Sequence, residues 1–107
     1  MNHQAVFAAL ADPTRRGIYE QLRRREHTVN ELTRLARVSQ PAVSQHLREL
    51  RRARLVTHRR DGQRRYYQAT REGLAELRQY IEALWDDVLL AYAATDPAAP
   101  KTKRKGT

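Results

Sequence analysis

The stretch "TVNELTRLARVSQPAVSQHLREL", Thr28–Leu50, reads as two short helices and a sharp turn. Thr28 with Glu31 three positions later has the form of a capping box, in which side chains and backbone satisfy each other at a helix start. Val29, Leu32, Leu35 and Ala36 then recur at helical spacing and predict a buried stripe. "RVS", Arg37–Ser39, breaks the pattern. Ser39 has the chemistry of a second cap, and Pro41 falls in the turn that follows, where its missing N–H leaves no bond unmade. Val43, Leu47 and Leu50 form the next buried face. Two helices joined this tightly make a helix-turn-helix. The opposite face of the second helix presents Gln40, Pro41, Ser44, Gln45 and Arg48, with Arg51 and Arg52 lower down. Its first turns carry no charge, although 31% of the chain is charged.

On the N-terminal side, "VFAAL" (Val6–Leu10) reads as a short helix. Asp12-Pro13 marks the start of another, with Asp12 as N-cap and Pro13 at the first helical position. Ile18 and Leu22, flanked by Tyr19, give it an apolar face. Gly17 weakens this helix by up to about 1 kcal/mol relative to Ala, unless another backbone needs the space. On the C-terminal side, "LVTHRRDGQRRYYQA" (Leu55–Ala69) changes to a period of two. Asp61-Gly62 predicts a two-residue type I′ hairpin turn, because both residues tolerate positive φ. Tyr66 and Tyr67 suit a strand and read as wing packing rather than stacking platforms. Two strands alone are marginal in water, so the hairpin must rest on the helices.

A last helix is expected from near Thr70, with Glu72 and Gly73 in its first turns. Leu74, Leu77, Ile81, Leu84 and Val88 are spaced 3, 4, 3 and 4, an a/d seam widened by Trp85, Leu89 and Tyr92. So long a seam in so small a domain predicts self-association. "TDPAAPKTKRKGT" (Thr95–Thr107) combines two prolines, small residues and like charges, which predicts disorder. The expected organisation is one domain over residues 1–95 and a disordered basic tail over 96–107. The expected fold is mainly α with a β-hairpin wing.

The 107 residues carry a formal charge of +9, and its placement is uneven. Residues 39–69 hold eight Arg against two acidic residues, while residues 70–95 hold two Arg against five. A positive excess focused on one segment is the footprint of a nucleic-acid binder. Gln pairs with adenine through two hydrogen bonds, Ser suits several bases and Arg suits guanine, so the neutral helix start can read base edges. The arginines behind it can hold phosphates. In the wing, Arg59, Arg60, Arg64 and Arg65 crowd a short tip and repel one another unless a polyanion lies between them. The alternative is a charged edge that blocks sheet-to-sheet aggregation. His46 either contacts a phosphate or packs at the helix–wing junction. The expected DNA contacts are Ser39, Gln40, Pro41, Ser44, Gln45, His46, Arg48, Arg51, Arg52, Arg59, Arg60, Arg64 and Arg65, with double-stranded DNA as partner.

The chain has no cysteine, which removes disulfides, thiolate metal sites and thiol redox sensing. No apolar run approaches the roughly 20 residues that cross a bilayer. The N-terminus lacks the charged start and apolar stretch of a signal peptide. A soluble cytoplasmic protein is expected. His3, His27, His46 and His58 show no ligand spacing, so no metal is expected. An enzyme is not expected either, for want of a glycine-rich phosphate loop and a His–carboxylate–nucleophile set. No cofactor is expected.

"ALADPTRRGIYEQL" (Ala9–Leu22), "TVNELTRLARVSQPAVSQHLRELRRARLV" (Thr28–Val56) and "RRDGQRRYYQA" (Arg59–Ala69) together resemble the ArsR family of bacterial winged-helix repressors. The resemblance covers roughly Val6–Val88. It implies a homodimer of five-helix, winged subunits, with the fourth helix in the major groove. The first and last helices would form the dimer interface, through Val6, Leu10, Leu74, Leu77, Ile81, Leu84, Trp85 and Val88. The chain departs from the family in two places. The third helix carries neither the Cys-x-Cys nor the Asp-x-His of metal-sensing members, and the last helix has no histidine. The family also has Gly in a "GLV" after the recognition helix, where this chain has Arg54 in "ARLV". Glycine there supplies a left-handed cap. Arg54 in that conformation costs of order 1 kcal/mol; otherwise the helix ends differently. A phosphate contact by Arg54 would compensate. The implied function is a sequence-specific DNA-binding regulator, a repressor or autorepressor acting as a homodimer on an inverted repeat. The alternatives are a metal- or ligand-responsive repressor with an unfamiliar sensor site and a winged-helix protein-interaction adaptor.

Overall fold

Side-chain caps set the helix starts in a computed structural model of the chain, which describes residues 3–95. The expected tail over 96–107 lies outside the described residues. Helix α1 spans His3–Ala11 and α2 spans Pro13–Arg24. Asp12 caps α2 by accepting the Arg15 amide at 2.8 Å, and Pro13 takes the first helical position. Helix α3, Val29–Ala36, starts at the expected capping box. Glu31 N–H donates to Thr28 Oγ1 at 3.2 Å, and Thr28 N–H donates to Glu31 Oε1 at 3.1 Å. Ser39 caps α4, Gln40–Arg52, by accepting the Ala42 amide at 3.2 Å. Strands β1 (Val56–Asp61) and β2 (Arg64–Ala69) form the wing, and α5 spans Glu72–Thr95. The mainly helical, winged helix-turn-helix architecture is the one read from the sequence. Among the described residues no helix is long and apolar enough to cross a membrane.

Several boundaries differ from expectation. Helix α1 begins at His3 rather than Val6. Helix α5 begins at Glu72 rather than near Thr70, because Thr70 is used otherwise: its amide donates to Leu55 O and its hydroxyl to Arg54 O. The hairpin loop is Gly62-Gln63, not Asp61-Gly62, since Asp61 pairs with Arg64. Gly62 has φ +65° and Gln63 does not share the positive φ, the type II′ pattern with glycine at the first central position.

Helix α4 ends in a Schellman motif. The Arg54 amide donates to Arg51 O and the Leu55 amide to Leu50 O, with Arg54 at φ +62°. Arg54 therefore does adopt the left-handed conformation, as Arg37 does after α3. Gly73 packs against this turn. A Cβ there would lie 2.6 Å from Ala53 O and 2.9 Å from Arg54 O. The position that requires glycine for close backbone approach is thus Gly73, whereas nothing lies within 4 Å of a Cβ at Gly17.

The described chain forms two compact units divided after Leu77. The core of the first collects Ile18, Tyr19 and Leu22 of α2, Leu32 of α3, Val43, Leu47 and Leu50 of α4, then Leu55, Val56 and Tyr67 around the wing. Val6 belongs to this core and is wholly buried, which removes it from the expected dimer surface. Leu10 and Leu77 are partly buried against the same core. Leu35 does not complete the α3 stripe; it is 50% exposed. At about 100° per residue, Val29 and Ala36 fall on one side of Leu32 and Leu35 on the other. The wing is fastened through main-chain pairing of His27 with Tyr67, two hydrogen bonds of 3.0 and 2.8 Å. In the second unit, Ile81, Leu84, Trp85 and Val88 are 44 to 60% exposed.

Candidate nucleic-acid interface

Gln40 and Pro41 stand exposed at the start of α4, and Ser44 is half-buried one turn later. Ser39 is exposed, but its hydroxyl oxygen is engaged as the cap. Further along, four residues form one network. Arg48 donates to the Gln45 carbonyl oxygen, the Gln45 amide donates to Glu49 Oε2 at 3.2 Å, and Arg52 donates to the same oxygen at 3.3 Å. Glu49, absent from the sequence reading, thus orients the Gln45 amide and partly offsets Arg52. Arg51 is exposed beside them.

A groove of about 550 Å³ lies between the helix-turn-helix and the wing. Asn30 and Arg34 of α3 and Gln40 of α4 line one side, and Arg60, Gln63, Arg64 and Arg65 line the other. Arg60 and Arg65 are direct cross-strand partners, an arrangement that like charges disfavour. Neither, nor Arg64 or Gln40, makes a side-chain hydrogen bond or ion pair within the described residues. Asn30 and Arg34 were not singled out from the sequence; helical spacing marks them as solvent-facing but not which neighbour they face.

Arg59 does not join this groove. Its guanidinium donates to both Glu26 oxygens, at 3.2 and 2.7 Å, and sits 4.7 Å above the Tyr66 ring. The Arg59 hydrogen bonds hold the Glu26 carboxyl below its ordinary range, and Glu26 in turn raises Arg59. Arg59 therefore ties the wing to the α2–α3 connection. Tyr66 lies under Arg59 and Tyr67 is buried beside His58, so both tyrosines pack as expected.

His46 turns toward α2 rather than toward the wing. Arg15 Nε donates to its Nδ1 at 3.3 Å, and Asp12 Oδ2 lies 4.0 Å from its Nε2. With Nδ1 accepting, the ring proton belongs on Nε2, facing the Asp12 carboxylate. The Arg15 amide, with help from His46, holds the Asp12 carboxyl low. His58 lies half-buried under the wing, with its Nδ1 enclosed and unpartnered. Burial, then the charges of Arg51, Arg65 and Arg60, pushes its pKa down. It is therefore neutral at pH 7.

A second groove, about 640 Å³, lies where α4, β1 and the start of α5 meet. Arg48, Arg51, Arg52 and Arg54 line it with Thr57 and Thr70. Arg54 donates to Glu76 Oε2 at 3.0 Å, so it pairs with a carboxylate within the fold. Among the described residues, no three histidines or acids gather to hold a metal ion.

These surfaces agree with what the chain resembles. The family model described as bacterial regulatory protein, arsR family, matches residues 12–58. The HTH-type transcriptional regulator Rv2034 of Mycobacterium tuberculosis is 51% identical over 88 residues, covering 82% of each chain. The transcriptional repressor SdpR of Bacillus subtilis is 37% identical over 62 residues, 58% of this chain and 69% of that one. Among solved structures, an ArsR-like transcriptional regulator from Rhodococcus sp. RHA1 matches with a TM-score of 0.73 at 31% identity, over 92% of this chain and 95% of that one. These are regulators rather than enzymes. The chain belongs to the arsR family of bacterial regulatory proteins.

Proposed function

We propose that this chain is a sequence-specific DNA-binding repressor that acts as a homodimer on an inverted repeat in the cytoplasm. Residues 1–95 serve as its DNA-binding and dimerisation domain, and the basic tail adds at most nonspecific affinity. Helix α4 enters the major groove with Gln40, Ser44 and Gln45 toward the bases. Arg48, Arg51 and Arg52 hold the backbone, and Arg60, Arg64 and Arg65 of the wing follow the adjoining phosphates. The observation that supports this reading best is the groove joining Gln40 to unpaired arginines. A DNA phosphate between Arg60 and Arg65 would turn their mutual repulsion into attraction. The second copy would dock through the exposed seam of Ile81, Leu84, Trp85 and Val88.

The test is binding to the chain's own upstream DNA against a scrambled duplex of equal length, across a salt series. With roughly eight phosphate contacts the log–log slope should be near −7. Equal affinity for the two duplexes at moderate salt would falsify sequence-specific repression.

A further inference from the structure

Arg54 is held in a conformation that arginine disfavours, and the surrounding backbone fixes it there. Its amide donates to Arg51 O at 2.9 Å. Its carbonyl accepts from both Thr70 Oγ1, at 2.8 Å, and the Gly73 amide, at 2.9 Å. Gly73 leaves no room for the turn to relax toward α5. Residues kept in a sparsely populated conformation by their surroundings gather at ligand clamps. Arg37 has the same backbone conformation, yet it lines neither groove described above. The Arg54 side chain lines the groove at the foot of the recognition helix, with Arg48, Arg51 and Arg52. Among the described residues, Glu49 pairs with Arg52 and Glu76 with Arg54, and Glu72 is the carboxylate in the lining of the groove itself. Arg54 is 60% exposed while Glu76 is 14% exposed. The carboxylate is therefore fixed in the fold, and the guanidinium reaches it from the solvent side.

We infer that this groove is a phosphodiester site for duplex DNA, in which Arg54 leaves Glu76 to hold a backbone phosphate. In the free protein Glu76 holds the guanidinium that the phosphate would take. A carboxylate and a phosphate both accept charge-assisted hydrogen bonds from a guanidinium, so a phosphate can replace the single bond that Glu76 Oε2 accepts. The inference rests on the DNA-binding reading above. It adds a contact at a left-handed cap position, where glycine carries no steric cost.

The experiment compares salt slopes on one operator duplex. Arg54→Gly should keep sequence preference but give a slope shallower by about 0.9, the share of one phosphate. It should also raise the thermal midpoint by relieving the left-handed strain. Arg54→Lys retains the charge and should retain the slope. Glu76→Gln removes the competing carboxylate and should tighten binding in the wild-type background but not alongside Arg54→Gly, a cycle that isolates their coupling. If wild type binds and Arg54→Gly has the same slope, the inference fails while the DNA-binding reading stands. If Glu76→Gln tightens binding equally in both backgrounds, Glu76 acts as a diffuse charge and the exchange is refuted. If wild type shows no binding, the DNA-binding reading itself has failed.

Discussion

In the proposed complex, single side chains of α4 and the wing act as readers or holders, and the two classes should respond differently to substitution. Gln40 stands at the helix start with no side-chain partner among the described residues, so Gln40→Ala should relax preference at one base pair by about 1–3 kcal/mol. Competition among single-base operator variants measures it. Arg34 lines the same groove from α3, which in the proposed complex would set it against the phosphate backbone. Arg34→Ala should weaken every duplex alike and flatten the salt slope by about one phosphate. The two glycines of interest separate in the same way. Gly73→Ala forces a methyl against Ala53 O and Arg54 O and should destabilise by about 1–3 kcal/mol. Gly17→Ala meets open space and should stabilise α2 by roughly 0.5–1 kcal/mol. Denaturant unfolding of the two variants checks both signs.

Elements are fixed to one another by groups that titrate. Asp12 caps α2, Glu31 caps α3 and Glu26 anchors the wing through Arg59, and each carboxyl is held below its ordinary range. A depressed carboxyl stabilises the fold above its unfolded pKa, and that stability is lost as pH falls through the folded value. His58 is depressed too, by burial first. Its protonation favours the unfolded chain, so its stabilising share is present above about pH 6.5 and declines below it. Thermal midpoints should therefore fall in two stages on acidification. The stage between pH 7 and 5 should vanish in His58→Gln, and a midpoint that stays flat there in wild type refutes the assignment. Glu26→Gln should loosen the wing and weaken DNA binding without moving base preference. The caps and the proline in the first turn of α4 were legible, because they are local patterns of three to seven residues. The Arg59–Glu26 tie and the His46–Arg15 contact span 33 and 31 residues. Sequence spacing along one strand or helix holds no record of such partners, so Arg59 read as a DNA contact and His46 as either a phosphate contact or a packing group at the helix–wing junction. The turn slipped by one residue for a similar reason: "DG" fits a type I′ loop, yet pairing of Asp61 with Arg64 placed glycine at the first position of a type II′ loop.

At the scale of the whole molecule, the arginine-rich grooves and the apolar seam of α5 occupy separate segments of the chain. The arginine-rich grooves belong to the unit ending at Leu77, and the exposed apolar seam belongs to the helical unit after it. Trp85→Arg should convert a dimer to a monomer in sedimentation velocity and weaken operator binding by at least about tenfold through lost bivalency. The first unit should keep its fold, since its core lies outside that seam. That separation was visible in the sequence as opposite net charges over 39–69 and 70–95. The withdrawal of Val6 into the core was not, since an apolar residue on a short helix serves either purpose. The root of the wing carries a further consequence, in its dynamics. The mutual amide bonds of His27 and Tyr67 join β2 to the connection before α3, while the tip around Gly62 has only its own ladder. Protons at the root should exchange with deuterium as slowly as those of the core, and protons at the tip should exchange much faster. The wing is then a graded spring, stiff at its base and compliant at its end, able to follow duplexes of differing groove width without disturbing the helix beside it.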